Sequence, residues 1–276
     1  MKALKIAALV LVVTLLLLYL GVSVLLYVKQ RDMIYPLGVV SASEPVSRPG
    51  VEHWTHPIDA AGAEVYAYFL PAHTSAERAG LVVYFHGNGN TIEDMLPTAK
   101  RYQQMGYHVL LPEYRGYNRA AGAPSEEAIT QDALVFLSRA LERPDVDADD
   151  LVFHGFSLGG GVACSVARAR APKKLILQST FTGVNHIAQA MGMLPWLVKD
   201  PYDSLDFVGT FEGPLLVVHG IQDELLTFKF GQLLAQAAPR AHLLPHDGTH
   251  NTHPEAHRMW AAIRRLLDQG KLPDER

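Results

Sequence analysis

A serine flanked by glycine two positions before and two after it, Gly155-Phe156-Ser157-Leu158-Gly159, is the stretch of this chain best suited to covalent chemistry. It follows the apolar run 151–154 and leads into Gly160-Gly161-Val162-Ala163-Cys164, so a strand, a sharp turn and a helix are expected here. Such a turn strains the serine backbone and leaves little room for side chains beside it. The hydroxyl then stands exposed at the strand end. The next backbone N–H, that of Leu158, opens a helix and faces developing negative charge.

A serine hydroxyl is a poor nucleophile at neutral pH unless a neighbour takes its proton. The usual partner is a histidine, itself oriented by a carboxylate. If Ser157 ends one parallel strand, its partners are expected after later strands at the same sheet edge. Pro214-Leu215-Leu216-Val217-Val218-His219-Gly220 reads as such a strand, with Asp223 after it. Ala241-His242-Leu243-Leu244 reads as the last, with Asp247-Gly248-Thr249-His250-Asn251 after it. Ser157, Asp223 and His250 therefore stand in a workable order. Asp203, Asp206 and Asp247 remain as other acids. His242, His246, His250, His253 and His257 are spaced by 4, 4, 3 and 4 residues, which on one helix would suggest a metal site. Gly248 and Pro254 interrupt that helix, and neither metal nor cofactor is expected. A second donor to the reacting oxygen is expected from an earlier strand end, where Leu81–Phe85 leads into His86-Gly87-Asn88-Gly89-Asn90.

Strands are expected at Val51–Ile58, Glu64–Leu70, Leu81–Phe85, His108–Glu113, Leu151–Phe156, Lys174–Gln178, Pro214–His219 and Ala241–Leu244. Between them, Ile129, Ala133, Phe136, Leu137, Ala140 and Leu141 recur at helical spacing after Ser125-Glu126-Glu127. Gly231–Ala238 and Glu255–Leu267 also read as helices. Strand–helix alternation with continuous apolar strands implies an α/β fold, a mostly parallel sheet with helices on both faces. Residues 181–210 break the pattern: Met191, Met193, Leu194, Pro195, Trp196 and Leu197 form an apolar insertion, read either as a lid or as core filler.

The chain has 276 residues, and residues 1–31 are expected to be a membrane anchor. The 23 residues Ile6–Val28 carry no charge and lie between Lys2, Lys5 and Lys29, Arg31. As a helix they would span about 34 Å, enough for the ~30 Å hydrocarbon core. A cleaved signal would have a shorter apolar run with its cleavage site close behind, whereas Val40-Ser41-Ala42 lies far downstream. Two basic residues flank each end, and the terminal amine tips the expectation toward an extracytoplasmic catalytic domain. A linker containing Pro36, Pro45, Pro49 and Gly50 follows, and residues 32–276 are enough for one substantial core. Without the four flanking cations the chain holds 20 basic and 28 acidic residues, a net −8, which argues against nucleic-acid binding. Cys164 is the single cysteine, so no internal disulfide forms.

Taken together, these residues resemble the α/β-hydrolase superfamily, and most closely its membrane-anchored, Bem46-like branch, often labelled serine aminopeptidase-like. The resemblance covers roughly residues 30–268. It is carried by Tyr84-Phe85-His86-Gly87-Asn88-Gly89-Asn90, Glu113-Tyr114-Arg115-Gly116-Tyr117, Pro124-Ser125-Glu126-Glu127, Gly155-Phe156-Ser157-Leu158-Gly159-Gly160, Pro201-Tyr202-Asp203-Ser204-Leu205, His219-Gly220 with Asp223-Glu224, and Gly248-Thr249-His250-Asn251. Asn118 stands where the family usually has a glycine, and Thr249 replaces the second glycine before the histidine. The resemblance implies Ser157 as nucleophile, Asp223 as acid and His250 as base. It also implies that the backbone N–H groups of Asn88 and Leu158 form an oxyanion hole. The expected activity is hydrolysis of ester or thioester bonds of small-molecule acyl-chain substrates through an acyl-enzyme. A serine peptidase or amidase is the alternative, and a non-catalytic scaffold a further one.

Overall fold

The computed structural model describes residues 1–37 and 49–275; much of the linker, with Val40-Ser41-Ala42 and Pro45, lies outside them. Helix α1 (Lys2–Ile34) has a mean hydropathy of 2.9 over its most apolar window, and its side chains are almost all exposed. By length and composition it can cross a membrane. It runs three residues beyond Arg31 and ends where the Tyr35 N–H donates to the Arg31 carbonyl at 2.8 Å.

Eight strands form one sheet: β1 (Glu52–Pro57), β2 (Glu64–Leu70), β3 (Ala79–Phe85), β4 (His108–Pro112), β5 (Val146–Phe156), β6 (Lys174–Gln178), β7 (Leu215–Gly220) and β8 (Ala241–His246). Their spatial order is β1-β2-β4-β3-β5-β6-β7-β8. The β1–β2 and β2–β4 pairs are antiparallel, and every later pair is parallel. Strands β3, β4, β6 and β7 are buried from end to end. That is why they read as unbroken apolar runs rather than alternating ones: helices cover both faces.

The covering helices are α2 (Leu96–Gln104), α3 (Glu126–Leu141), α4 (Leu158–Ala169), α5 (Val184–Ala190), α6 (Ser204–Thr210), α7 (Phe228–Ala237) and α8 (Ala256–Gln269). Helix α3 starts as its sequence suggests: the Ser125 hydroxyl accepts from the Ala128 N–H at 3.1 Å, with Glu126 and Glu127 in the first turn. Helix α2 was not read from the sequence. Pro97 sits in its first turn, and its apolar stripe is only Leu96, Ala99 and Tyr102, too short to show a period. The 181–210 segment is more regular than expected. It holds α5, a 3₁₀ turn at Pro195–Leu197, and α6, which Asp203 caps by accepting from the Asp206 N–H.

Parallel strands carry their carboxyl ends to one edge of the sheet. There, β3 leads into His86–Asn90, β5 into Ser157, β7 into Asp223 and β8 into His250. Register fixes these ends side by side: Phe85 faces Gly155, Phe156 faces Gln178, and Gly220 faces His246.

Candidate active site

Ser157 occupies the turn between β5 and α4 with φ 53° and ψ −119°, a left-handed backbone that non-glycine residues rarely adopt. Its neighbours hold it there. The Ser157 N–H donates to the Gln178 carbonyl at 3.0 Å, and the Thr180 hydroxyl donates to the Ser157 carbonyl at 2.7 Å. The flanking glycines are steric necessities. A Cβ at Gly155 would collide with the backbone of Gly159, and one at Gly159 with the Phe85 carbonyl.

Three sequence-predicted side chains meet in one line. Ser157 Oγ lies 3.0 Å from His250 Nε2, and His250 Nδ1 lies 2.8 Å from Asp223 Oδ2. All three residues are buried. The other Asp223 oxygen accepts from the Leu225 and Leu226 N–H groups at 3.0 and 2.7 Å. Those bonds hold the carboxylate as an acceptor, so it accepts a hydrogen bond from Nδ1–H and leaves the Nε2 lone pair facing the serine. The other acids lie elsewhere. Asp203 caps α6, Asp206 pairs with Arg168 at 2.9 Å, and Asp247 is exposed.

The remaining histidines of the cluster diverge. His242 pairs with Asp274, while His257 is exposed. His253 accepts from the Gln178 amide at 2.7 Å, and burial holds its pKa down at about 4. Burial also lowers that of His246, whose ring packs on His253. Among the described residues, no three His, Cys, Asp or Glu side chains come together as a metal site. Cys164 is buried in α4, where desolvation pushes its thiol up to about 12.

The 86–90 loop is held from below by a pair the sequence reasoning did not single out. His86 Nε2 lies 2.7 Å from Glu113 Oε1, with both side chains fully buried, and the His86 ring stacks on Tyr114 at 3.9 Å. Glu113 also accepts from the Tyr114 and Ile92 N–H groups. The signal was available: both residues lie in motifs at strand ends, and a charge directly after a buried strand needs a partner. The supported loop carries Asn88. Asn88 and Leu158 both line the cavity into which the serine opens, and Leu158 is the first residue of α4, where N–H groups have no intrahelical acceptor.

That cavity has a volume of about 670 Å³. Phe156, Phe181, Val184, Ile187, Met191 and Met193 give it an apolar wall, and part of α1 closes another side. Its described lining contains no Asp, Glu, Lys or Arg.

Residues 76–207 match the Hydrolase_4 family, described as serine aminopeptidase. An uncharacterised protein of Mycobacterium tuberculosis is 29% identical over 261 residues, covering 90% of this chain and 91% of that one. Protein bem46 of Schizosaccharomyces pombe is 27% identical over 67% of this chain and 66% of its own. Lysophosphatidylserine lipase ABHD12 of Danio rerio is 29% identical over 58% of this chain, but only 48% of its own length. Among solved structures, Est1E from Butyrivibrio proteoclasticus superposes with a TM-score of 0.64 at 19% identity, over 79% of this chain and 97% of that one. At that identity the likeness concerns the fold. With the strand order, the elbow at Ser157 and these matches in hand, the chain has the α/β-hydrolase fold and is similar in sequence to the Bem46-like, serine aminopeptidase-like proteins.

Proposed function

We propose that this protein is a membrane-anchored serine hydrolase that cleaves ester or thioester bonds of acyl-chain substrates. His250 Nε2 takes the Ser157 proton as Oγ attacks the acyl carbon. The resulting oxyanion turns toward the Leu158 and Asn88 N–H groups, which meet the charge without reorganising. As the intermediate collapses, the C–O or C–S bond breaks. His250 returns the proton to the leaving alkoxide or thiolate, and the acyl group stays on Ser157. Water then attacks the acyl-enzyme, giving its proton to His250, and the acid leaves as Ser157 is restored. Asp223 holds the imidazole in the tautomer this requires and balances the imidazolium.

The observation that carries the reading is the Ser157 hydroxyl, 3.0 Å from His250, at the wall of an apolar, uncharged cavity. An acyl chain suits that wall. An aminopeptidase would have to hold a substrate ammonium, and a buried ammonium needs a carboxylate; the described lining supplies none. The ester reading is therefore preferred to the amidase one that the family description suggests. Helix α1 serves as a single-pass anchor, with the hydrolase domain on the extracytoplasmic side.

Turnover of a panel of acyl esters and thioesters, beside aminoacyl amides, tests the proposal in the full-length protein. Medium-chain esters are expected to be the better substrates, with hydrolysis lost in Ser157→Ala. Faster cleavage of aminoacyl amides, or ester turnover retained by folded Ser157→Ala, would overturn it.

A further inference from the structure

Helix α1 also contributes to the cavity of the candidate active site. Leu26, Gln30, Met33 and Ile34 line the cavity that holds Ser157. From Leu26 to Ile34 is about 12 Å of helix. The Asn88 amide donates to the Ile34 carbonyl at 3.4 Å, so the helix end also touches the loop beside the serine.

The same helix is fastened to the 192–202 segment by side-chain contacts running in order along both. Tyr19 Oη donates to the Gly192 carbonyl at 3.1 Å. The Gln30 amide donates to the Leu197 carbonyl at 3.1 Å and accepts from the Lys199 N–H at 2.6 Å. The Arg31 guanidinium donates to both oxygens of buried Asp200, at 2.8 and 3.2 Å. The Tyr35 and Tyr202 hydroxyls are 2.9 Å apart.

This pairing has a consequence in depth. The uncharged run ends at Val28, and Tyr19 lies nine residues before it, about 13 Å inside the hydrocarbon end for an upright helix. The segment that accepts the Tyr19 proton must then enter the hydrocarbon too. Irregular backbone is tolerated there only when its polar groups are satisfied. Much of this backbone is paired: Met191 and Met193 N–H groups donate to carbonyls of α5, those of Leu197 and Val198 to Leu194 and Pro195, and Tyr19 and Gln30 serve the carbonyls of Gly192 and Leu197. The side chains left outward are apolar. Met191 is 58% exposed, Leu194 38% and Trp196 76%. Trp196 adjoins Leu197, which Gln30 ties to the helix just past the end of the apolar run, at the level where tryptophan is enriched in membranes. Exposed Lys199 comes next, where a charge meets water, and Asp200 after it is buried against Arg31.

Resting on the hydrolase reading above, we propose that α1 and the Met191–Leu197 segment form a bilayer-seated mouth for the Ser157 cavity. Through it one alkyl chain of a lipid ester in the adjoining leaflet passes sideways to the serine. The chain reaches Ser157 without crossing water, because Leu26 lies within the apolar run and lines the cavity. A volume of about 670 Å³ suits one chain with its ester and not a two-chain lipid.

The test uses the full-length protein in phosphatidylcholine vesicles. Cys164 is buried, so a fluorophore attached to Trp196→Cys reports that site alone. Nitroxide-bearing lipids are expected to quench it, and to leave a label on Glu142→Cys, at the other end of the sheet, unquenched. Leu26→Trp and Met33→Trp, which fill the cavity, are expected to lower the long-chain to short-chain ratio of kcat/KM by about tenfold. Leu16→Trp, exposed on the same helix, is not. An unquenched label at 196, or an unmoved ratio while Ser157→Ala abolishes turnover, would overturn the mouth and leave the hydrolase standing. Ester turnover surviving in Ser157→Ala would instead remove the hydrolase reading, while the quenching still decides where the segment sits.

Discussion

The imidazole of His250 is one of five in a short stretch, and only its position separates it from the others. In the proposed mechanism it alone touches the nucleophile. His250→Ala is therefore expected to lower ester kcat by about three orders of magnitude or more. His246→Ala and His253→Ala should cost far less, since their rings pack on each other and on Gln178. Asp223→Asn should approach the His250 loss, because a misoriented imidazole cannot accept the serine proton. Asp203→Asn should show mainly a weakened cap on α6. Steady-state kinetics of the four variants decide this, and a larger loss in Asp203→Asn would name a different acid. Sequence spacing could list these residues but not choose among them. The choice lies in the pairing of β7 with β8, which brings Gly220 opposite His246 and so sets Asp223 beside His250. The His86–Glu113 support was less legible, since its partners lie on different strands and only the sheet order brings them together.

At the scale of elements, the elbow shows how tightly the sequence is constrained. Gly159 has the Phe85 carbonyl where a side chain would start, so Gly159→Ala must push β3 away from α4. It is expected to destabilise by about 3 kcal/mol or to prevent folding. Gly209, inside α6, meets nothing within 4 Å. Gly209→Ala is expected to gain roughly 0.5–1 kcal/mol from helix propensity. Denaturant melts of the two variants should thus move in opposite directions, and a neutral Gly159→Ala would contradict the packing described. The strands were legible because full burial writes itself as apolar runs; β2 and β6 begin and end where those runs do. Helices α5 and α6 were not, because seven residues are two turns and cannot display a period.

Across the whole molecule, several buried histidines should make the fold acid-sensitive. His154 sits between the Tyr102 hydroxyl and the Gln178 amide, and desolvation holds its pKa at about 3. In the unfolded chain it would titrate near 6.5. Below that pH the unfolded state takes up a proton that the native state refuses, so stability is full above pH ~6.5 and falls as pH drops from there toward 3. The slope from His154 alone approaches ~1.4 kcal/mol per pH unit. Melts in detergent across this range should show the loss, and His154→Gln should flatten it whatever its own stability; an unchanged slope would contradict a neutral buried His154. None of this bears on the central claim, that Ser157 is an activated nucleophile. The direct measurement is mass spectrometry of the full-length protein after treatment with a fluorophosphonate. The account expects one adduct, on the peptide carrying Ser157, absent in Ser157→Ala and formed much more slowly in His250→Ala. An unmodified Ser157 in the folded protein, or an adduct on another residue that persists in Ser157→Ala, would contradict it.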